Sequence, residues 1–290
     1  MVNLGINLPG GTAGGANGPS GRRLTWFETI AASPRPAVVD HAADGDRVEL
    51  SGRVLANWAA KTANLLDVEG HGPGSTILVD LPLGWKSLAL LLGAARAGVQ
   101  VRFASDSSST PAESGAVDLV VSGTPGAWSD HPADLWAVSP GTLKSSGASE
   151  LSEASEALEA LEALPSPDAE LPSHALDYAD EVQMQADQCH LPLPGTSLPS
   201  LVEAWEDLPS PQSTEHPTDD AGAPLSRWSH RERGLVVAAT GGRLDRGTAR
   251  AVVGTWDRGF PVVLVPERDT DLSGASARIV EAERLGNLHR

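Results

Sequence analysis

The stretch Thr76–Phe103, TILVDLPLGWKSLALLLGAARAGVQVRF, leaves a chain few ways to fold. Ile77–Leu81 is a short apolar run that stops at Pro82, and Leu83-Gly84-Trp85 makes a turn. Ser87–Ala97 is apolar at nearly every position and rich in Ala and Leu, the strongest helix formers. Gly98 stands where a helix closes on a left-handed residue. Val99–Phe103 is a second strand-like run. Strand, buried helix, glycine stop and strand describe a βαβ unit, whose strands and crossover bury one another.

The flanking pattern extends this core. Thr25 is an N-cap for a short helix over Trp26–Ala32. Ala37–Asp40 and Arg47–Leu50 flank a turn signal and form a hairpin. Ser51 caps a helix running to about Leu66, with Val54, Leu55, Trp58, Ala59, Thr62, Leu65 and Leu66 at helical spacing. Beyond Phe103 a Ser run opens a loop, with a short helix expected at Thr110–Gly115. Val117–Val121 and Asp134–Val138 are two more buried strands. Near the C-terminus, Arg233–Thr240 and Pro261–Val265 are strands, Leu244–Asp257 a helix and Ser273–Leu285 a terminal helix. Strands alternating with helices predict an α/β fold of three layers, with mostly parallel sheets flanked by helices.

Composition divides the chain into four parts. Residues 1–22 carry many Gly residues without periodicity and are expected to be a flexible tail. Residues 23–143 form a first α/β subdomain, and 144–172 an acidic low-complexity insertion. There Glu recurs every third residue from Glu150 to Glu162, and its apolar stripe is thin. A solvated linker or a docking helix both fit it. Residues 173–290 form a second, less regular α/β part. It opens with a helix over Ser173–Cys189 and contains an irregular stretch rich in Pro, Ser and Asp at 191–225.

Charge and cysteine content remove several function classes. The formal net charge of −17 opposes non-specific binding to nucleic acid or an anionic membrane and favours a basic protein partner. Cys189 is the single cysteine, so neither an internal disulfide nor a cysteine-rich zinc site is possible. His41, His71, His131, His174, His190, His216, His230 and His289 form no i, i+4 pair and no HExxH, so no metal site is expected. Cys189-His190 adjacency does not make a thiol–base pair, because sequence neighbours do not face each other along a helix. No run reaches the roughly 18 apolar residues of a membrane span. The N-terminus lacks the basic start and apolar core of a signal peptide, which predicts a cytoplasmic protein.

The succession of elements is similar to a known enzyme superfamily. The helix, AVVD, the hairpin, RVELSGRVLANWAAKTANLL, the Gly break, STILVDLPLGWKSLALLLGAARAGVQVRF and DLVVSG resemble the start of the adenylate-forming enzymes, the AMP-binding acyl-CoA synthetases and ligases. The segment Ala56–Asn64 and the run Leu176–Val182 resemble a short, truncated branch of that superfamily from high-GC Gram-positive bacteria. The likeness covers about 24–140 and 173–189, with an echo over 233–285. It implies the fold of the N-terminal part of these enzymes. It also implies a Ser/Thr/Gly-rich phosphate loop carrying a Lys, approximately TSGTTGxPK, between Cys189 and Arg233. No such run is there; Pro194-Gly195-Thr196-Ser197 is the nearest fragment and lacks the Lys. The family's later acidic motif, ribose-binding Asp and C-terminal Lys are expected to be missing as well.

One other loop has a phosphate-binding look. Gly242, Arg243, Arg246, Gly247 and Thr248 follow a strand and open a helix, at P-loop-like spacing without the Lys. They are either a weak anion site at a helix N-terminus or a plain strand-to-helix turn. No catalytic residue and no metal ligand is assigned, and ATP or AMP is not expected as a cofactor. Three functional expectations remain: a non-catalytic scaffold that binds a protein partner, a weak nucleotide- or acyl-binding module, or a subunit completed in trans.

Overall fold

The computed structural model describes residues 25–41, 47–104, 115–139, 171–208, 228–238, 243–266 and 275–285. The expected tail, nearly all of the acidic insertion, all but the last residue of the helix expected over Thr110–Gly115, and Gly242 lie outside them. The first elements match the sequence reading closely. Helix α1 (Trp26–Ala32) opens on a Thr25–Glu28 capping box. Strands β1 (Pro36–His41) and β2 (Arg47–Ser51) form the antiparallel hairpin. Helix α2 (Gly52–Val68) starts at Ser51, whose hydroxyl accepts from the Val54 amide. Val54 itself is exposed, because the buried stripe runs through Leu55, Ala59, Thr62 and Leu66.

The βαβ unit consists of β3 (Thr76–Asp80), α3 (Trp85–Ala97) and β4 (Gln100–Phe103), with Gly98 left-handed at φ 75°. Gly93 of α3 faces α2, and a Cβ there would overlap the side chain of Thr62. Glycine therefore sets how closely the two helices approach. Strands β5 (Leu119–Ser122) and β6 (Asp134–Ala137) come next, joined by a short 3-10 turn at Pro125–Trp128.

The segment after residue 171 is more ordered than its composition suggests. The helix expected over 173–189 begins as strand β7 (Ala175–Asp177), paired parallel to β6, and only then becomes α4 (Tyr178–Met184). Asp177 ends the strand and caps the helix. Within the stretch expected to be irregular lie α5 (Leu198–Glu203) and β8 (Glu206–Asp207), the latter paired to β4. Strands β9 (Trp228–Arg231) and β10 (Gly234–Ala238), α6 (Arg246–Asp257), β11 (Val262–Val265) and α7 (Ala275–Ala282) complete the described chain.

Two sheets result. One is wholly parallel, in the order β7-β6-β5-β3-β4-β8. The other, in the order β2-β1-β11-β10-β9, is parallel at its centre with an antiparallel strand at each edge. Each sheet takes strands from both sides of the boundary drawn near residue 143. The principal core packs α2, α3 and α6 against inward residues of both sheets, among them Val38, Ile77, Val79, Val121, Val237 and Leu264. Outer faces are covered separately: Val39, Val236 and Val263 by Val280 and Leu285, and Leu78 and Val120 by Trp128 and Leu208. Burial on both faces explains why β3, β5 and β11 are continuous apolar runs without alternation.

Candidate functional site

Open α/β sheets bind ligands beyond the carboxyl ends of their parallel strands. In this chain β1 ends near Asp40, β3 at Asp80 and β5 at Ser122. Asp80 is buried, and its carboxylate accepts from Trp128 Nε1 at 2.7 Å and Ser122 Oγ at 2.9 Å. It also forms an ion pair with Arg243. Arg243 reaches it because the chain after β10 crosses to the other sheet. There Arg243 makes an antiparallel bridge with Pro82, and the Leu244 amide donates to the Leu81 carbonyl at 3.0 Å. The two sheets are thus joined at their carboxyl ends by a carboxylate and a guanidinium.

Asp40 takes a different role. Its Oδ2 accepts the Trp85 amide at 2.9 Å, placing a carboxylate at the positive end of α3. Burial pushes the Asp40 carboxyl above its ordinary range, partly opposed by the Trp85 amide and His41. Burial holds the Lys86 ammonium below its ordinary range, partly opposed by Asp177. Lys86 Nζ donates to the Ser139 carbonyl at 2.7 Å. Perturbed titrating groups at strand ends mark functional sites, and structural networks perturb them too. Both groups here bond to backbone of the same chain.

Of the Gly242–Thr248 candidate, the described residues 243–248 are engaged in the same way. The Arg246 amide donates to Asp207 Oδ1 at 2.9 Å, and its guanidinium donates to the Glu203 carbonyl at 2.8 Å. The Thr248 amide donates to Asp245 Oδ1 at 2.7 Å, which makes Asp245 the N-cap of α6. Gly247 lies in the first turn of that helix, and Arg243 is held by Asp80. Donors that the sequence offered to an anion therefore face Asp80, Asp207 and Asp245. A triphosphate brought here would meet carboxylates, and the residues present do not fit one.

The likeness to solved structures bears on the fold. An acyl-CoA synthetase of Brucella canis superposes on 90% of this chain, with a TM-score of 0.57 and 16% identity, covering 46% of that enzyme. The N-terminal subdomain of Klebsiella oxytoca NpsA gives a TM-score of 0.50 at 14% identity, covering 90% of this chain and 58% of that one. The chain has the N-terminal fold of an acyl-CoA synthetase. A curated Mycobacterium tuberculosis protein, named only for a numbered family, is 40% identical over 83 residues. Those residues are 28% of this chain and 29% of that protein. The chain thus spans less than half the length of the Brucella enzyme, and its match covers less than a third of the mycobacterial protein. No family model matches it.

Other sequence candidates fall apart in space. His190 Nε2 bonds to Asp67 Oδ2 at 3.1 Å, whereas Cys189 packs half-buried against the core. Among the described residues there is no group of three or more His, Cys, Asp or Glu able to hold a metal ion. No described helix is long and apolar enough to cross a membrane.

Sequence reading missed a second feature, at the amino ends of β1, β10 and β11. A cleft of about 460 Å³ opens there, lined by Arg35, Pro36, Val39, Arg233, Gly259, Phe260, Pro261, Val263, Glu283 and Leu285. No motif announces it, since its residues come from four separate segments.

Proposed function

We propose that this chain keeps the architecture of an adenylate-forming enzyme without its reaction and serves as a scaffold for a protein partner. The observation that carries the reading is the buried Asp80–Arg243 pair, set where the carboxyl ends of the strands would otherwise open to a ligand. Adenylation needs donors aimed at a triphosphate as charge moves along it. Here the available donors bond to Asp80, Asp207 and Asp245, and 189–233 contains no Ser/Thr/Gly-rich loop with a Lys. The net charge of −17 favours a partner with a basic surface.

The test is pyrophosphate release by the purified chain, given ATP, Mg²⁺ and a panel of carboxylic acids. No release above a buffer blank is expected, and no rise in melting temperature with ATP or AMP. Acyl-adenylate made by the chain alone would overturn the reading. Turnover appearing only after a second protein is added would favour a subunit completed in trans.

A further inference from the structure

The cleft at the amino ends of the mixed sheet lies at the opposite edge of the strands from the Asp80–Arg243 pair, so a ligand held there is independent of the proposed function. Its floor is apolar. Val39 and Val263, register partners on β1 and β11, are almost completely buried, and Leu285 is 2% exposed. Phe260, 37% exposed, lines it together with Pro261 and Pro36. A space of this volume is within the range of small-molecule sites.

The polar groups of the lining can be accounted for one by one. The amides of Gly259, Phe260, Arg233 and Leu285 donate to the carbonyls of Trp256, Thr255, Leu285 and Val280. Pro36 and Pro261 have no amide hydrogen. The carbonyls of Arg35 and Pro261 accept from Gly52 and Leu235. Glu283 Oε1 accepts from Arg47 Nε at 3.0 Å and bonds His41 Nε2 at 3.1 Å, and its Oε2 accepts from Arg47 at 3.3 Å. Burial pushes the Glu283 carboxyl up, but the Arg47 and His41 bonds outweigh it and hold the group below its ordinary range. Two guanidiniums of the lining, Arg35 and Arg233, are exposed and have no side-chain partner among the described residues.

From this accounting we infer that the cleft is a binding site for a small amphipathic anion. Its apolar body lies on Val39, Val263, Phe260 and Leu285, and its single acidic head group meets Arg35 and Arg233. Arg35 and Arg233 bring two positive groups beside Glu283, which is ion-paired to Arg47, itself shared with Glu49; on a chain of net charge −17 they are what makes this edge locally attractive to an anion. A planar guanidinium suits the oxygens of a carboxylate, sulfonate or phosphate. The head-group chemistry is shared among these three, and the apolar floor excludes a bare inorganic ion as the intended ligand.

The experiment compares two rigid probes, naphthalene-2-sulfonate and naphthalen-2-ylmethylammonium, by calorimetric titration of the whole chain. Saturable binding of the sulfonate and much weaker binding of the ammonium are expected. Replacing both arginines (Arg35→Glu with Arg233→Glu) should weaken the sulfonate on the order of tenfold or more. Lysine at both positions should retain most of the affinity, and Phe260→Ala should lose part of it. Both arginines are exposed, so the variants should fold, which circular dichroism checks. Three outcomes would overturn the inference: no saturable sulfonate binding up to about 1 mM, equal affinity for the two probes, or sulfonate affinity unchanged by the double charge reversal. Inorganic phosphate, titrated in parallel, should show no saturable binding; binding as tight as the sulfonate's would also overturn it.

Discussion

At their carboxyl ends β1, β10 and β11 lie beside the neighbouring parallel sheet, and the junction is filled by groups of the chain itself. Asp80 is enclosed by Trp128, Ser122 and Arg243, and Asp40 caps α3. At their amino ends the same three strands border a cleft with two guanidiniums, Arg35 and Arg233, that have no side-chain partner among the described residues. In an α/β fold the first edge is the one expected to hold a ligand. The contrast teaches that fold and site can separate. A sheet keeps its architecture when its binding edge is closed by an ion pair, and space for a ligand can lie at the other end of the same strands.

The comparison breaks most directly at Arg243. If that residue closes the carboxyl edge, Arg243→Ala leaves a buried carboxylate without its counter-charge. Removing one member of a buried pair costs about 3–5 kcal/mol. Arg243 is 25% exposed, so water recovers part of that, and about 2–3 kcal/mol is expected. Urea unfolding should show it as a lower midpoint at unchanged slope. A loss below about 0.5 kcal/mol would mean that the pair is a surface contact, and the closed edge would have to be credited to packing alone.

Tyr178 sharpens the same side. It follows β7, stacks on Trp136 at 6.1 Å between ring centroids, and shares a 2.7 Å hydrogen bond with Thr62 Oγ1. Burial pushes its hydroxyl up to about 12, with the Thr62 bond opposing. The sign comes from the neutral form being favoured in the folded state. Above pH 10 the unfolded chain loses the proton first, so stability declines as pH rises through the unfolded value towards the folded one. The full gap corresponds to about 2–3 kcal/mol. Tyr178 is the single tyrosine, so its ultraviolet titration reads this group alone. Tyr178→Phe should remove that part of the alkaline decline at a neutral-pH cost of about 1 kcal/mol, since Thr62 still bonds to the Trp58 carbonyl. A titration midpoint near 10 would show that this edge admits water.

Much of the architecture was legible because its causes are local. Caps at Thr25 and Ser51, the glycine stop at Gly98 and the apolar runs of β3, β5 and β11 act within a few residues of themselves. The order of 183–208 was not legible, because distant side chains hold it. Lys61 and Asn64 of α2 donate to the carbonyls of Gln183, Gln185, Ala186 and Gln188, and Arg96 of α3 donates to those of Leu191 and Pro192. Backbone satisfied by remote donors leaves no periodicity, so a stretch rich in Pro and Ser reads as loop. The helix expected over 173–189 is realised only at Tyr178–Met184 for a related reason: pairing to β6 overrode the local helical preference of Ala175 and Leu176. The start of a helix near Arg246 was legible from local sequence. That the donors around it face Asp80 and Asp207 was not, since those carboxylates lie far away in sequence.

The smallest effect on stability belongs to the open edge. Arg35 and Arg233 are exposed and have no side-chain partner among the described residues, so truncating either side chain removes no side-chain hydrogen bond or ion pair described there, and the backbone bonds stay. Arg35→Ala with Arg233→Ala should therefore leave the unfolding free energy within about 0.5 kcal/mol of the parent. Loss of two positive charges from a chain of net charge −17 tilts this slightly towards destabilisation at low salt, and added salt should erase the tilt. The measurement pairs urea unfolding with sulfonate titration on the same variant. Weaker binding at unchanged stability means that the arginines serve a ligand and the fold does without them. A stability loss above about 1 kcal/mol would place them among the structural groups, and the two ends of the sheet would then differ less than their geometry suggests.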